Sequence, residues 1–258
     1  MVSLDNSLVT KLIFYPRKEA IPASLPPKIE ILHIPVDKST NIGGIFYNHN
    51  SDVPTLIIYH GNGETVLDYL QFSDIYFNIQ LNVFFIDYRG YGFSEGKPRY
   101  TKLFPDALVT YDFITKLLEK KGYKNEIFVL GRSLGSVSAS EIGSTNPLNL
   151  KGVIFESGFA SLPQLAKKLF RGAGILIGER TLEKHSNHLR VAEIRSPILI
   201  IHGTNDSLIP FSQAELLKKS AISSNSCQLE PIEGAGHNDI FYYQEQYRTL
   251  LLEFIGKN

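Results

Sequence analysis

Short, unbroken runs of apolar residues recur along the chain. They are rich in β-branched and aromatic residues and do not alternate with polar ones, which is typical of strands buried on both faces of a parallel sheet. The runs occupy residues 56–59, 83–86, 127–130, 153–155 and 198–201.

Between these runs, apolar residues return every three or four positions, as they do on one face of a helix. The alternation of strands and helices predicts an α/β fold of βαβ units with right-handed crossovers. Upstream, residues 28–34 and 44–47 are predicted to be two antiparallel edge strands. The helical sets are Leu103, Ala107, Tyr111, Ile114 and Leu118, and near the C-terminus Ile240, Tyr243, Tyr247, Leu250 and Phe254.

A long interval interrupts this alternation. About forty residues separate the strands at 153–155 and 198–201, whereas αβ connections usually have about 2–6. Active sites of open α/β sheets form at the carboxyl ends of the strands, so we expect residues 157–195 to form a small cap there. An ordinary crossover helix followed by a long loop is the alternative. The whole chain, 1–258, is expected to be a single domain, because α/β proteins of this length commonly are.

The strongest chemical signal is the sequence Gly-Arg-Ser-Leu-Gly at 131–135, which directly follows the strand at 127–130. A Gly-x-Ser-x-Gly sequence at a strand-to-helix turn is the context of a nucleophile elbow, whose tight turn exposes the serine hydroxyl. The flanking glycines are needed because the turn leaves no room for larger side chains. We therefore predict that Ser133 is a nucleophile; a glycine-rich turn without chemistry or a phosphate site is the alternative.

A second glycine-containing loop, His-Gly-Asn-Gly at 60–63, follows the strand at 56–59. Acyl transfer needs N–H donors aimed at the developing oxyanion. We predict that these are the backbone groups of Leu134 and Asn62, with Gly61 flanking the substrate. His60 is interpreted as a structural histidine that holds the loop.

A serine nucleophile needs a base, and the imidazole needs an acid that orients it. His237 lies in the loop 234–239, between a predicted strand at 228–232 and the final helix, and Asp206 follows the strand at 198–201. The chain order Ser133, Asp206, His237 is an order that enzymes with such a serine turn use. Glu156, after the strand at 153–155, is the rival acid, and a simple turn role for Asp206 remains open. His202 is interpreted as structural.

The composition of the chain limits the kinds of partner and cofactor that it is expected to bind. Lys+Arg and Asp+Glu both number 26, so a net charge of zero gives no indication of a nucleic-acid partner. The single cysteine, Cys227, excludes an intrachain disulfide and cysteine-based zinc sites, which suits a reducing, cytoplasmic location. The sequence shows neither a signal peptide nor a transmembrane segment, and nothing in it indicates a metal or organic cofactor. It leaves the oligomeric state open.

From about residue 28 onward, the chain resembles the α/β-hydrolase superfamily. The sequences at 60–62 (His-Gly-Asn), 87–94 (Asp-Tyr-Arg-Gly-Tyr-Gly-Phe-Ser) and 236–239 (Gly-His-Asn-Asp) resemble a branch that contains serine hydrolases related to protein depalmitoylases, together with bacterial relatives. The resemblance implies a mostly parallel eight-stranded sheet flanked by helices, with a small cap insertion. Those depalmitoylases carry a cysteine-rich N-terminus, whereas here no cysteine precedes Cys227, so membrane anchoring is not carried over.

The expected function is hydrolysis of a carboxylic ester or thioester through an acyl-enzyme, with a small-molecule or acylated substrate. A serine peptidase or amidase and a catalytically silent binding protein are the alternatives on the same fold. The apolar residues at 162–177, including Leu169 and Phe170, are expected to line the acyl pocket. That predicts a preference for acyl chains of about C4 to C8, because each buried methylene contributes roughly 0.8 kcal/mol. If these residues only pack on the core, the pocket is small and acetyl esters are preferred.

Overall fold

The computed structural model describes residues 3–71, 75–76, 78–169 and 177–258. The strands are β1 (Ile29–Asp37), β2 (Thr40–Tyr47), β3 (Thr55–Tyr59), β4 (Asn82–Ile86), β5 (Ile127–Arg132), β6 (Leu150–Glu156), β7 (Ile198–Gly203) and β8 (Cys227–Ile232). The helices are α1 (Ser7–Ile13), α2 (Leu103–Lys121), α3 (Ser136–Ser144), α4 (Leu162–Leu169), α5 (Glu179–Glu183), α6 (Asn187–Val191), α7 (Phe211–Ser220) and α8 (Gln244–Lys257).

All eight strands form one sheet in the order β1-β2-β4-β3-β5-β6-β7-β8. β2 runs antiparallel to both β1 and β4, and the remaining neighbours are parallel. The predicted eight-stranded, mostly parallel sheet of the α/β-hydrolase fold is therefore confirmed. Of the two antiparallel strands predicted upstream, β1 lies at the edge, whereas β2 has a neighbouring strand on both sides.

Both faces of the sheet are buried, which explains why the strand sequences are apolar without interruption. On β3, Ile57 and Tyr59 belong to one apolar cluster with residues of α2, α3 and α7, whereas Leu56 and Ile58 belong to another with residues of α8. Successive side chains of a strand point to opposite faces, so a strand covered on both sides needs apolar residues at every position.

In its described residues, up to 169 and from 177 onward, the long interval between β6 and β7 contains three short helices, α4, α5 and α6. The helical segment expected at 162–177 is described as helix up to Leu169, and 170–176 lie outside the described residues. Because β3 and β5–β8 are parallel, their carboxyl ends lie along one edge of the sheet. Among the described helices, none combines the length and apolar character needed to cross a membrane.

Candidate active site

Ser133 lies in the tight turn between β5 and α3. Its φ is 50°, in the left-handed region that is strained for a residue with a side chain. The turn is possible because the residues two positions before and after Ser133 are glycines. A Cβ on Gly131 would lie 2.3 Å from the Gly135 carbonyl oxygen, and a Cβ on Gly135 would lie 2.0 Å from the Tyr59 carbonyl oxygen. The sequence Gly-x-Ser-x-Gly thus forms the sharp strand-to-helix turn that its pattern predicts.

Three side chains from three strand ends form one hydrogen-bonded chain. His237 Nε2 lies 3.0 Å from Ser133 Oγ, and His237 Nδ1 lies 2.7 Å from Asp206 Oδ2. An ionised carboxylate only accepts hydrogen bonds, so Nδ1 carries a proton and Nε2 is left to accept the serine O–H. The structure therefore brings together the residues for which the sequence predicts nucleophile, base and acid roles.

The Asp206 carboxylate is held by donors on both oxygens. Its Oδ1 accepts the backbone N–H groups of Leu208 (2.9 Å) and Ile209 (2.7 Å), while Oδ2 faces His237 and lies 3.3 Å from His202 Nε2. Burial by itself raises the pKa of Asp206, but the hydrogen bonds from both histidines and from the Ile209 N–H outweigh it and hold the pKa well below its usual range. The group is built to remain a carboxylate.

His202, interpreted as structural, is fully buried beside Asp206. Its Nε2 donates to the Ile209 carbonyl oxygen at 2.8 Å as well as facing the carboxylate. This histidine therefore fixes the turn that carries the acid. The only sequence feature that indicates this role is the position of His202, four residues before Asp206 at the end of β7.

Glu156, the rival acid, has other partners. Its Oε2 accepts the Tyr247 hydroxyl at 2.5 Å, and its Oε1 lies 3.5 Å from Arg132 Nη1. Burial raises the pKa of Glu156 and outweighs the opposing effects of Arg132 and the Tyr247 hydrogen bond. No hydrogen bond within the described chain joins Glu156 to His237, which instead faces Asp206.

The loop after β3 contributes Asn62 to the cavity that Ser133 also lines. The N–H groups of Asn62 and Leu134 donate to no acceptor among the described residues, and both residues line the same cavity as Ser133. The Gly61 N–H, in contrast, donates to Glu64 Oε2 at 2.8 Å. Asn62 and Leu134 thus line the cavity together with Ser133, whereas Gly61 is not among the residues that line it.

His60 holds this loop from within, in agreement with its structural interpretation. Its Nδ1 donates to the Gly61 carbonyl oxygen at 2.7 Å, and its Nε2 lies 3.1 Å from Asp87 Oδ1. Burial lowers the pKa of His60, but Asp87 and the hydrogen bond to Gly61 more than compensate, so the net shift is upward. With a side chain only 1% exposed, His60 cannot meet a substrate.

A buried arginine that the sequence did not single out connects the two loops. Arg132 Nε lies 2.9 Å from Glu64 Oε1, Nη2 donates to Asn238 Oδ1 at 2.9 Å, and Nη1 donates to the His237 carbonyl oxygen at 3.4 Å. Arg132 therefore ties the Gly61 loop to the loop that carries His237. It occupies the variable position before the serine in Gly-x-Ser-x-Gly, so the motif itself gave no signal.

An apolar cavity of about 310 Å³ opens beside Ser133. Leu169 is part of its wall, and Phe170 lies outside the described residues. A wall that the sequence did not indicate comes from the N-terminal segment. The lining consists of Leu4, Val9, Leu12, Ile13, Tyr15, Asn62, Tyr100, Ser133, Leu134, Phe159, Leu162, Leu165, Ala166, Leu169, Ile177, Leu182, Leu208 and Ile209.

In the part of the chain that the structure describes, no three or more His, Cys, Asp or Glu side chains are grouped so that they could hold a metal ion. The polar residues that line the cavity include Ser133, Asn62, Tyr15 and Tyr100, and the His237 imidazole is hydrogen-bonded to Ser133. This arrangement can activate a hydroxyl and stabilise negative charge on a carbonyl oxygen.

Residues 51–187 match the family model described as serine aminopeptidase, S33, which is slightly more than half of the chain. Two relatives align over most of the chain. The human alpha/beta hydrolase domain-containing protein 17B is 32% identical over 216 residues, which cover 79% of this chain and 66% of that protein. The Salmonella typhimurium LT2 protein named uncharacterized protein YfhR is 25% identical over 260 residues, covering 94% of this chain and 86% of that one.

Among solved structures, the Pyrococcus furiosus esterase Pf2001 is similar with a TM-score of 0.74. The alignment covers 94% of this chain and 98% of the esterase, at 17% sequence identity. At that identity the similarity concerns the fold, and it extends over nearly the whole length of both proteins.

Proposed function

Because the chain belongs to the serine aminopeptidase S33 family, within the α/β-hydrolase superfamily, we propose that this hydrolase is a serine hydrolase that cleaves carboxylic esters or thioesters. The observation that carries the proposal is the Ser133–His237–Asp206 chain at the mouth of an apolar cavity. Apolar lining with a few converging polar groups is the usual character of a small-molecule site.

In the proposed reaction, Ser133 Oγ attacks the carbonyl carbon while His237 Nε2 takes the hydroxyl proton. The Asp206 carboxylate orients the imidazole through Nδ1 and stabilises its charged form. The carbon–oxygen or carbon–sulfur bond then breaks, His237 returns the proton to the leaving group, and an acyl-enzyme remains. Water, activated by the same imidazole, releases the acid and restores Ser133.

The negative charge on the carbonyl oxygen in this reaction is stabilised by the N–H groups of Asn62 and Leu134. Both lack another acceptor among the described residues and lie at the cavity beside Ser133, which supports this role. A single donor of this kind changes kcat by about 10²- to 10³-fold in a well-studied serine protease. The Glu64 carboxylate, which binds the adjacent Gly61 N–H, positions the loop.

The cavity supports an acyl chain as the part of the substrate that is recognised. Its volume of about 310 Å³ is about twice that of an apolar cavity of roughly 150 Å³ that accepts benzene. We propose that residues 157–195 act as a cap and that Leu169 and Phe170 contribute to the acyl pocket. We expect kcat/KM to rise from acetyl to about C4–C8 esters before it falls. We propose that the substrate is a small or acylated molecule. A cytoplasmic location of the enzyme is consistent with its single cysteine.

The test is a series of nitrophenyl esters and acyl-thioesters of increasing chain length, combined with labelling by a fluorophosphonate probe. The proposal expects labelling of Ser133 and a maximum at about C4–C8. Steadily declining rates from C2 onward would contradict the acyl pocket. An unlabelled serine together with no turnover of any ester or thioester would favour a catalytically silent binding protein.

A second candidate is a serine peptidase or amidase, and the description of the matching family as a serine aminopeptidase favours it. The same serine and imidazole would act, and His237 would give its proton to an amine leaving group. Aminoacyl nitroanilides distinguish the two: turnover of these amides at a kcat/KM close to that of the best ester would support the peptidase.

A further inference from the structure

The N-terminal segment is part of the cavity wall. The cavity is lined by residues of α4 and, from the N-terminal segment, by Leu4, Val9, Leu12, Ile13 and Tyr15. Val9 is 6% exposed, while Leu12 is 48% exposed. Leu12 therefore lies at the rim, with one side towards the cavity and the other towards solvent, whereas Val9 lies deeper. An acyl chain that starts at Ser133 would run between this segment and α4.

Polar contacts with the rest of the protein fix this wall. The Asn62 side chain donates to the Ile13 carbonyl oxygen at 2.6 Å and accepts the Tyr15 N–H at 3.0 Å. Arg17 binds Asp68 at 2.6 Å, further along the loop that contains Asn62. A helix of seven residues is marginal by itself, so these contacts and the burial of Val9 keep α1 in place.

A second attachment fixes the start of the segment. The Asp5 carboxylate accepts the Thr101 N–H at 3.1 Å, so the chain is held before α1 as well as after it. Tyr91 adds to the attachment behind α1: its hydroxyl donates to Asn62 Oδ1 at 2.6 Å. The wall is therefore held at both ends.

The attachment to Asn62 connects the wall with the reaction centre. The backbone N–H of Asn62 is one of the two proposed oxyanion donors. The side chain of the same residue forms hydrogen bonds with the backbone of Ile13 and Tyr15. Asn62 therefore couples the position of the N-terminal wall to the position of the proposed oxyanion donor. Because this wall lies at a fixed distance from the carbonyl carbon, it determines which length of acyl chain fits the cavity.

We infer that the segment Leu4–Tyr15 forms the outer half of an acyl-chain site and sets the chain length that the enzyme prefers. The inference rests on the proposed function, because it takes the chain bound at Ser133 to be an acyl group. Each buried methylene favours binding by about fourfold, so adding or removing apolar surface on this wall changes chain-length selectivity measurably.

The first experiment compares two variants of α1 that differ only in position. Leu12→Ala removes a side chain that lines the cavity, and Leu8→Ala removes one that is 62% exposed and does not line it. We expect the ratio of kcat/KM for the C8 and C2 nitrophenyl esters to fall about fourfold in Leu12→Ala, which corresponds to roughly one methylene that is no longer buried. The ratio should stay at the wild-type value in Leu8→Ala.

The second experiment fills the cavity. Val9→Phe places a larger side chain in the deeper part, so the chain length at the maximum should shift by about two carbons towards shorter esters, since one aromatic ring excludes several methylenes. Val9→Ala, which cannot overpack, should shift it in the opposite direction. Melting temperatures of both variants show whether each is folded.

Alkyl fluorophosphonates of increasing chain length give a readout that needs no turnover, because they react directly with the nucleophile. A C8-to-C2 ratio of inactivation rates that falls about fourfold in Leu12→Ala, but not in Leu8→Ala, supports the inference even if the natural bond is not an ester. If both variants and both Val9 substitutions keep the wild-type chain-length profile while Ser133 still reacts, the inference is wrong and the proposed function stands. If Ser133 reacts with no probe, both are wrong.

Discussion

The carboxyl ends of β6 and β7 each carry a buried carboxylate, and the two environments differ in kind. Asp206, after β7, faces two backbone N–H groups and two imidazoles and has a pKa well below its usual range. Glu156, at the end of β6, has one hydroxyl donor and a more distant guanidinium, and its pKa is raised. Donors directed at the oxygens, and not the place at a strand end, therefore decide in which direction each pKa shifts.

The same difference separates the chemical tasks of the two groups. A carboxylate that must stabilise an imidazolium has to stay ionised throughout the reaction. Asp206 meets this requirement and faces His237, whereas Glu156 is bound to Tyr247 and Arg132. We therefore expect loss of charge at Asp206 to impair the reaction and loss of charge at Glu156 to leave it almost intact.

The largest effect is expected from removing the nucleophile, because neither carboxylate can influence the reaction without it. Ser133→Ala should abolish fluorophosphonate labelling and lower kcat about 10⁶-fold, the scale known for removal of a serine nucleophile. Intact-mass measurement after labelling detects the adduct. Ser144→Ala in α3 is a matched control, since its hydroxyl donates to the Glu141 carbonyl oxygen of its own helix at 2.8 Å and should be dispensable. Labelling that persists in Ser133→Ala would move the nucleophile elsewhere.

Asp206→Asn should lower kcat about 10⁴-fold, because the amide no longer holds the imidazole in the tautomer that accepts the serine proton. Steady-state kinetics on the preferred ester measures the loss, and circular dichroism shows whether the fold is kept. A decrease of less than about tenfold, far below the loss known for this change in a serine protease, would mean that another group orients His237.

Glu156→Gln is the matched change on the neighbouring strand and should lower kcat by less than about threefold, because Gln keeps an oxygen for the Tyr247 hydroxyl and resembles the protonated acid that burial favours. The same kinetic assay applies. If Glu156→Gln is the crippling change and Asp206→Asn is mild, the assignment of the acid is reversed.

The smallest expected effect is a difference in the pH dependence of stability. The folded-state pKa of Asp206 is lowered, so its stabilising contribution is present above the unfolded-state pKa of about 3.9 and is lost as the pH falls below it. The folded-state pKa of Glu156 is raised, so its contribution is present below about 4.3 and is lost as the pH rises through the folded-state value.

Thermal unfolding of the two variants and the wild type between about pH 3.5 and 7 measures this difference. With rising pH, the melting temperature of Asp206→Asn should fall relative to wild type, while that of Glu156→Gln should rise relative to wild type. If the melting temperatures of both variants changed in the same direction relative to wild type, the pKa values of Asp206 and Glu156 would not be shifted in opposite directions.

Much of the fold could be predicted from local patterns. The buried strands were found because a strand covered on both faces needs an unbroken apolar run, and β3, β4 and β5 each contain one. The serine turn was found because its geometry excludes side chains on Gly131 and Gly135, which leaves a readable motif. The catalytic roles themselves stay predictions until the variants are measured.

Two features could not be predicted, for a common reason. The helix α1 is seven residues long and carries little propensity signal, and it is ordered by Asn62, 47 residues from Tyr15. Arg132 lies at a motif position that accepts many residues, and its partners Glu64 and Asn238 come from other loops. Interactions between distant segments leave no periodic pattern in either segment.

The residue order alone places Ser133, Asp206 and His237 after strands of one sheet, because apolar runs define parallel strands whose carboxyl ends lie along one edge. Which carboxylate faces the imidazole, and that the N-terminal segment closes the cavity, follow only from the folded chain. The deciding contacts join residues 31 and 47 positions apart. Where such side chains point is set by packing across the whole molecule, which no local pattern encodes.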